Sequence, residues 1–479
     1  MTPSGYSGRF RWPRACLTPG TVAYELSGRP QAGRAVVLEH PTGTLEAMVD
    51  LVAGEPFPHS PRSRPAAHRS QAPRRHGLPL PPVAANRRRI DQNIPLPVSH
   101  RFDVDSFRKD LDTQRGPSPQ HGGSSSGYNG WVQLQARMLD VVDDDDVQQL
   151  FRARGWTDGL PVVAPTPERV DAMLRTSAFV PDQLIGVEPV KQRRLTAEKV
   201  AINAVLAGCL PPDFPVVAAA VEAICHPDFL VHGATASTGG CAVLLVVNGP
   251  VRQQLAMSSA HSVLASPDRA SVCIGRAVRL VLRNLLEVRP GGLDRSTLGH
   301  PGKVSWCFAE DEEGGEPWLS LAAERGIPAD VSSVTAFAAS GPRQLMNEWT
   351  TNPEEVLTTV VAEIKANMLH YSIWAGNYAL VVPTQLRQVF HDAGWSKADI
   401  RNYVYNHAVV RRFDWEKVGK AAVVSDRNRD FEYRALRRPE DLLIIAAGGE
   451  AGGFAAVIPP WLGPKSAAVT NAVGVCIDC

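Results

Sequence analysis

The sequence predicts an α/β fold, with mixed alternating helices and buried strands in the body and a largely disordered N-terminal extension. Three observations predict it. Helix-capping residues alternate with short, continuous apolar runs from about residue 137 onward. Charge and proline content change abruptly near residue 130. No run of about eighteen apolar residues occurs, which argues against a membrane span.

The 479 residues carry 50 Lys+Arg and 49 Asp+Glu, so there is no bulk electrostatic case for nucleic acid or an acidic membrane. That balance hides two unlike parts. Residues 1–130 hold 17 basic against 10 acidic residues, 16 of the basic ones Arg, together with 17 of the 39 prolines. A proline-dense stretch poor in apolar residues cannot bury enough surface to offset its ordering entropy. It is read as a basic extension, closed by a flexible Ser/Gly linker over 122–127. It lacks the apolar core of a signal peptide, and Pro3, Pro13 and Pro19 oppose the helix of a transit peptide. Two patches stand out within it: a short buried strand over 35–38 and a helical spacing over 45–52. Deletion of 1–130 is expected to leave the body folded. That body, residues 131–479, is long enough for two subdomains.

Elements of the body follow from caps and apolar periodicity. Asp143 to Asp146 place negative charge at the start of a helix over 147–154. Residues 155–163 turn into a short strand. Thr166 followed by Pro167 starts a helix to about Arg175. Thr196 caps a helix that ends at Gly208, and a further helix spans 214–225. Strands are expected over 241–247, 304–309, 378–382 and 442–447, where apolar runs are bounded by turn residues. A helix follows Thr384, and Ser396 caps another that runs to His407. The glycine-rich residues 448–453 form a turn able to bring backbone close to a ligand.

Two constellations carry chemistry. On a helix over 269–287, Arg276, Arg279 and Arg283 recur at three and four residues and share one face. Such guanidinium groups suit a carboxylate or phosphate; the alternative is a solvated face with acidic partners. Trp156, in the preceding loop region, joins them as a candidate substrate contact. In Gly299-His300-Pro301-Gly302-Lys303-Val304-Ser305-Trp306-Cys307, strand alternation puts Lys303, Ser305 and Cys307 on one side. A thiol beside a lysine and a histidine has the ingredients of a nucleophile or redox centre. Cys307 would be the thiol, Lys303 the group lowering its pKa, His300 the acid–base, and Asp158 or Glu310 an orienting carboxylate. The alternative is a buried packing cysteine.

The eight cysteines, without a secretory signal, are expected reduced in the cytoplasm. Cys476 and Cys479 have C-x-x-C spacing, but too little chain follows them to form the helix that lowers such a thiol's pKa. No Walker loop or H-E-x-x-H motif occurs, and no tight metal-ligand spacing. The G-x-S-x-G match at Gly123-Ser124-Ser125-Ser126-Gly127 lies in the linker, without the strand and helix a nucleophile elbow needs.

Residues 155–170, 274–284, 299–313, 393–408 and 447–461 together resemble an uncharacterised bacterial family associated with, or fused to, the UGSC module, a thioredoxin-like selenoprotein or cysteine-containing unit. The resemblance covers about residues 138–479. The patch over 35–52, with His40-Pro41-Thr42-Gly43, resembles the end of that module, whose Cys-Gly-Ser-Cys or selenocysteine motif is absent. The resemblance carries no reaction with it. The first reading is a soluble bacterial enzyme with thiol-based redox or nucleophilic chemistry on a small anionic substrate, as an oxidoreductase or lyase; the alternatives are a non-catalytic binding or partner subunit of a UGSC-type redox protein and a metal-dependent hydrolase or lyase. The sequence names no cofactor.

Overall fold

A computed structural model describes residues 33–37, 133–141, 144–371, 374–420, 428–450, 452–461 and 466–474. The expected disordered extension, the helical spacing over 45–52, the Ser/Gly linker and the Cys476/Cys479 pair lie outside the described residues. The chain begins with β1 (Gly33–Val37), β2 (Arg137–Val141), α1 (Asp144–Ala153), α2 (Pro167–Thr176), β3 (Leu184–Glu188), β4 (Arg193–Thr196), α3 (Ala197–Ala207) and α4 (Phe214–Cys225). Next come β5 (Ala242–Asn248), α5 (Val251–Gln254), α6 (Arg269–Asn284), β6 (Cys307–Ala309), β7 (Ser333–Ala339), β8 (Arg343–Met346) and α7 (Pro353–His370). The last part holds β9 (Tyr378–Val382), α8 (Thr384–Asp392), α9 (Lys397–His407), β10 (Val409–Arg411), β11 (Glu432–Arg434), β12 (Leu442–Ala446), β13 (Phe454–Ile458) and β14 (Val469–Ala472). The fold is α/β, with helices around mixed sheets.

Two sheets of four strands form the centre, in the orders β14-β7-β5-β6 and β12-β9-β13-β8. In each, a central strand pairs parallel with one edge strand and antiparallel with the other inner strand. The register also repeats. Leu245 faces Cys307 and Ala336, and Ala336 faces Val469. Leu380 faces Ile444 and Val457, and Val457 faces Arg343. The body is therefore an internal duplication, and its halves exchange edge strands. After β7 the chain crosses to the second sheet as β8; after β13 it crosses back as β14. The crossings meet at a bridge between Ala339 and Pro460, flanked by Ser340 N–H to Pro459 O (2.9 Å) and Trp461 N–H to Ala338 O (2.8 Å). Under the register equivalence those two bonds are copies of each other.

Strand alternation sorts side chains into three cores. Leu244 and Val246 of β5, Phe308 of β6 and Phe337 of β7 meet Val381, Ile445 and Ile458 between the sheets. The opposite face of the first sheet packs on α3, α4 and α6. That of the second packs on α7, α8 and α9. Strands covered on both faces read as continuous apolar runs, which is why they stood out in the sequence. Among the described residues no single helix is long and apolar enough to cross a membrane. The apolar α4 is a core helix, with most of its side chains buried.

A single acidic run clasps the two halves. Arg252 and Arg387 occupy equivalent places, in the matched stretches Leu245-Val246-Val247-x-x-x-Val251-Arg252-Gln253 and Leu380-Val381-Val382-x-x-x-Leu386-Arg387-Gln388. Arg252 donates to Glu312 and Glu313 (3.0 Å each) and to the carbonyl of Glu310 (2.9 Å). Arg387 donates to Asp311, next in the same run, and to the carbonyl of Gly314 (3.2 Å). The run 310–313 is thus the join between the repeats rather than a solvated loop.

Two expectations need correction. Residues 161–163 form no ladder, because Gln148 takes both backbone groups of Val162, at 2.7 and 3.1 Å, in place of a neighbouring strand. The strand expected over 304–309 shrinks to Cys307–Ala309, since His300 caps a 3-10 turn at Pro301–Lys303. Near the strand expected over 35–38, β1 (Gly33–Val37) pairs antiparallel with β2.

α6 lies close over the loop before β6. A Cβ on Gly275 would fall 2.3 Å from Ser305 Oγ and 2.9 Å from the backbone nitrogen of Trp306. Gly275→Ala is expected to cost about 1–3 kcal/mol, because the backbone contact cannot yield without moving the helix. Urea denaturation checks this; an unchanged midpoint would show that the seat is not tight.

Candidate functional site

The polar face of α6 collects most of the residues singled out in the sequence. Asp268 caps the helix by accepting from Ser271 N–H (2.8 Å), and Ile274, Val278, Val281 and Leu282 bury the opposite face. Arg276 forms a fork with Asp158, Nε to Oδ2 at 2.9 Å and Nη2 to Oδ1 at 2.8 Å, and also donates to the carbonyl of Pro161 (2.9 Å). Asn284, two turns on, donates to the carbonyl of Trp156 (2.9 Å). The indole of Trp156 packs edge-on to Phe151 with Arg154 over its face. Asp158 and Trp156 therefore tie the Gly155–Gly159 loop to the helix.

Burial alone would raise the Asp158 carboxyl, but the Arg276 hydrogen bond and charge outweigh it and hold it below the ordinary 3.8. A carboxylate with a depressed folded pKa adds stability above its unfolded value and loses it as pH falls through the folded one. Asp158→Asn is accordingly expected to flatten the loss of stability below about pH 4. Chemical denaturation at stepped pH measures it; an unaltered acid limb would show that the pair contributes nothing.

A second carboxylate, Asp294, sits one turn along. Lys303 donates to both its oxygens, at 2.9 and 2.7 Å, and to Ser296 Oγ at 2.6 Å; Arg279 approaches Asp294 at 3.9 Å. Burial would raise this carboxyl too, but the Lys303 and Ser296 hydrogen bonds bring it below its ordinary value. Arg279, Lys303, Cys241 and Thr235 line a cavity of about 30 Å³, room for one water molecule.

Beyond these pairs the face carries excess positive charge. Arg283 and Arg289 have no ion-pair partner among the described residues, and the buried Nε of each has no acceptor. Burial, then repulsion from Arg289 and Arg279, makes the charged form of Arg283 less favourable than usual. Arg289 also borders an open depression of about 540 Å³ together with Lys191, Glu287 and Arg295. Sequence reading found the arginine row but missed Arg289, Arg295, Lys191 and Asp294. Arg289 lies past the end of the helix, where periodicity gives no signal; the Pro290-Gly291-Gly292 turn after it was the available cue.

Comparison with models of known families and with curated proteins returns no match.

The thiol constellation does not assemble. Cys307 points toward α6 as alternation requires, but it is fully buried in the first core. Burial, reinforced by Asp268 and Asp213, pushes its thiol far above the ordinary range. Lys303 is committed to Asp294, and the nearest charges to Cys307 are acidic, the reverse of what stabilises a thiolate. His300 accepts from Gly302 N–H (3.3 Å), faces Ala339 O (3.3 Å) and packs edge-on to Trp306; burial lowers its pKa. It fastens the loop before β6 to the strand crossing. Glu310 is buried in the clasp, accepting from Asn248 (2.7 Å) and from Leu321 N–H (2.7 Å), with Lys397 at 3.7 Å. Among the described residues no three His, Cys, Asp or Glu side chains converge as a metal site.

Iodoacetamide at neutral pH is expected to leave Cys307 unmodified in the folded protein and to label it in urea, as peptide mapping would read. Labelling of folded Cys307 would restore it as a candidate nucleophile.

Proposed function

We propose that this protein binds a small anionic molecule of the carboxylate or phosphate class at the depression bordered by Arg289, Lys191 and Arg295, next to Arg283, whose charge repels that of Arg289. The observation that carries the proposal is the pair Arg283 and Arg289: two guanidinium groups held near each other, each with a buried Nε lacking an acceptor. Holding like charges together at partial burial is unfavourable, and an anion between their outer nitrogens relieves the repulsion. Asp158 and Asp294 neutralise Arg276 and Lys303, so they fix the frame without satisfying the outer arginines. The anionic-substrate expectation is kept in this form. A covalent role for Cys307 is not part of it, because a buried, protonated thiol with acidic neighbours is a poor nucleophile. The site needs no catalysis to function, which fits a binding subunit better than a thiol enzyme.

Calorimetric titration with inorganic phosphate and with succinate tests the proposal. Binding of at least one is expected, weakening with added salt. Arg283→Met and Arg289→Met should each lower affinity by about tenfold or more, the worth of a charged hydrogen bond. Absence of binding by both anions, or unchanged affinity in both variants, would overturn it.

A further inference from the structure

The duplication allows one position to be read twice. Register pairs Val381 with Val246, Ala456 with Thr335 and Gln344 with Thr470. Counted on past the ladders, Pro383 follows as Asn248 does, and Gly448-Gly449 as Asp311-Glu312 do. In the first half that position is sealed by side chains. Asn248 donates to Glu310 and Glu312 (2.7 Å each), and the hydroxyls of Thr335 and Thr470 bond at 2.8 Å. In the second half Pro383 stands for Asn248, Gly449 for Glu312, and Ala456 and Gln344 for the two threonines, and a cavity of about 490 Å³ opens there.

We infer that this cavity is a binding pocket for a small, uncharged, mainly apolar molecule carrying one hydrogen-bonding group. Its walls are the end of β9, the start of β13 and the loop 260–265, with Val263, Leu264, Val381 and Phe454 supplying apolar surface. Among the described residues no charged side chain lines it, and Gln344 and Ser262 supply its polar side chains. The volume lies within the range of about 300–1,000 Å³ usual for small-molecule sites, and apolar walls with a few placed polar groups are their usual make-up. The chemistry differs from that of the arginine face, so the two sites take different ligands.

The loop and the glycine turn fit each other as a built cover. Gly448 N–H donates to the carbonyl of Ser259 at 2.7 Å. A Cβ on Gly449 would fall 2.6 Å from Nδ1 of His261, and one on Gly448 would fall 2.7 Å from Cγ of Pro383, so glycine lets the turn lie close against both the loop and the end of β9. Ser262 and Ser266 hold the left-handed conformation at φ 58° and 52°, an unfavourable backbone state that the surrounding contacts must outweigh.

The test uses the full chain and 2-naphthol as probe, followed by saturation-transfer NMR and by fluorescence. Saturable binding is expected, with an affinity unaffected by Arg283→Met. Ala260→Trp, at an exposed position of the lining, should lower the affinity at least tenfold by filling the mouth. Gln344→Ala, on the exposed face of β8, should weaken it less, about three- to tenfold, the worth of one neutral hydrogen bond. Failure of 2-naphthol to bind at millimolar concentration, or equal affinity in Ala260→Trp, would overturn the inference. Near-ultraviolet circular dichroism of each variant confirms that it is folded.

Discussion

Replacing Arg387 with methionine is expected to destabilise the protein by about 3–5 kcal/mol, read as a lower urea midpoint at an unchanged slope. Arg387 is 1% exposed and donates to the carbonyls of Gly314 (3.2 Å) and Val382 (3.0 Å), to Thr384 Oγ1 (3.1 Å) and to Asp311. Methionine fills most of the volume and supplies none of the donors. The cost arises from buried carbonyls left without partners and from Asp311 losing its counter-charge. Asp311 is partly solvated, so the ion pair itself is the smaller share. Arg252→Met, the equivalent change in the other half, should behave alike and serves as an internal control. A loss below about 1 kcal/mol in both would show that the clasp does not hold the repeats together.

The second large effect is expected at Phe308. Its ring is fully buried between the two sheets, against residues from both halves. Phe308→Ala removes that packing and leaves a cavity between two rigid surfaces that cannot collapse, at a cost of about 3–5 kcal/mol. Because the ring spans the join, the variant should still unfold in one transition. A first transition confined to one half, resolved by hydrogen exchange, would mean that the repeats are independent folding units.

How legible was this in the sequence? Elements set by local chemistry were readable. Helix 214–225 and strand 378–382 appear where proline, caps and continuous apolar runs placed them, and Ser396 caps α9 by accepting from Asp399 N–H (3.2 Å). α7 went unanticipated although Asn352 followed by Pro353 was a usable start signal. The duplication was hidden for a different reason. Its evidence lies in strand register, which joins residues more than a hundred positions apart, and its sequence trace is the short Leu-Val-Val and Arg-Gln match. Cys307 shows the limit of alternation: the pattern gave the side it faces, but whether that side is solvent or a packed helix depends on α6, and α6 covers it. The arginine row was read from spacing alone, yet spacing could not tell which members would find carboxylates. Among the described residues Arg276 did and Arg283 did not, and the proposed anion site rests on that difference.

Crystals soaked in selenate and measured at the selenium edge would test the central claim most directly. An anomalous peak within hydrogen-bonding distance of both Arg283 and Arg289, lost in Arg283→Met crystals of the same form, is the predicted result. An empty map at the arginine pair, with selenate bound elsewhere on the same protein, would contradict it.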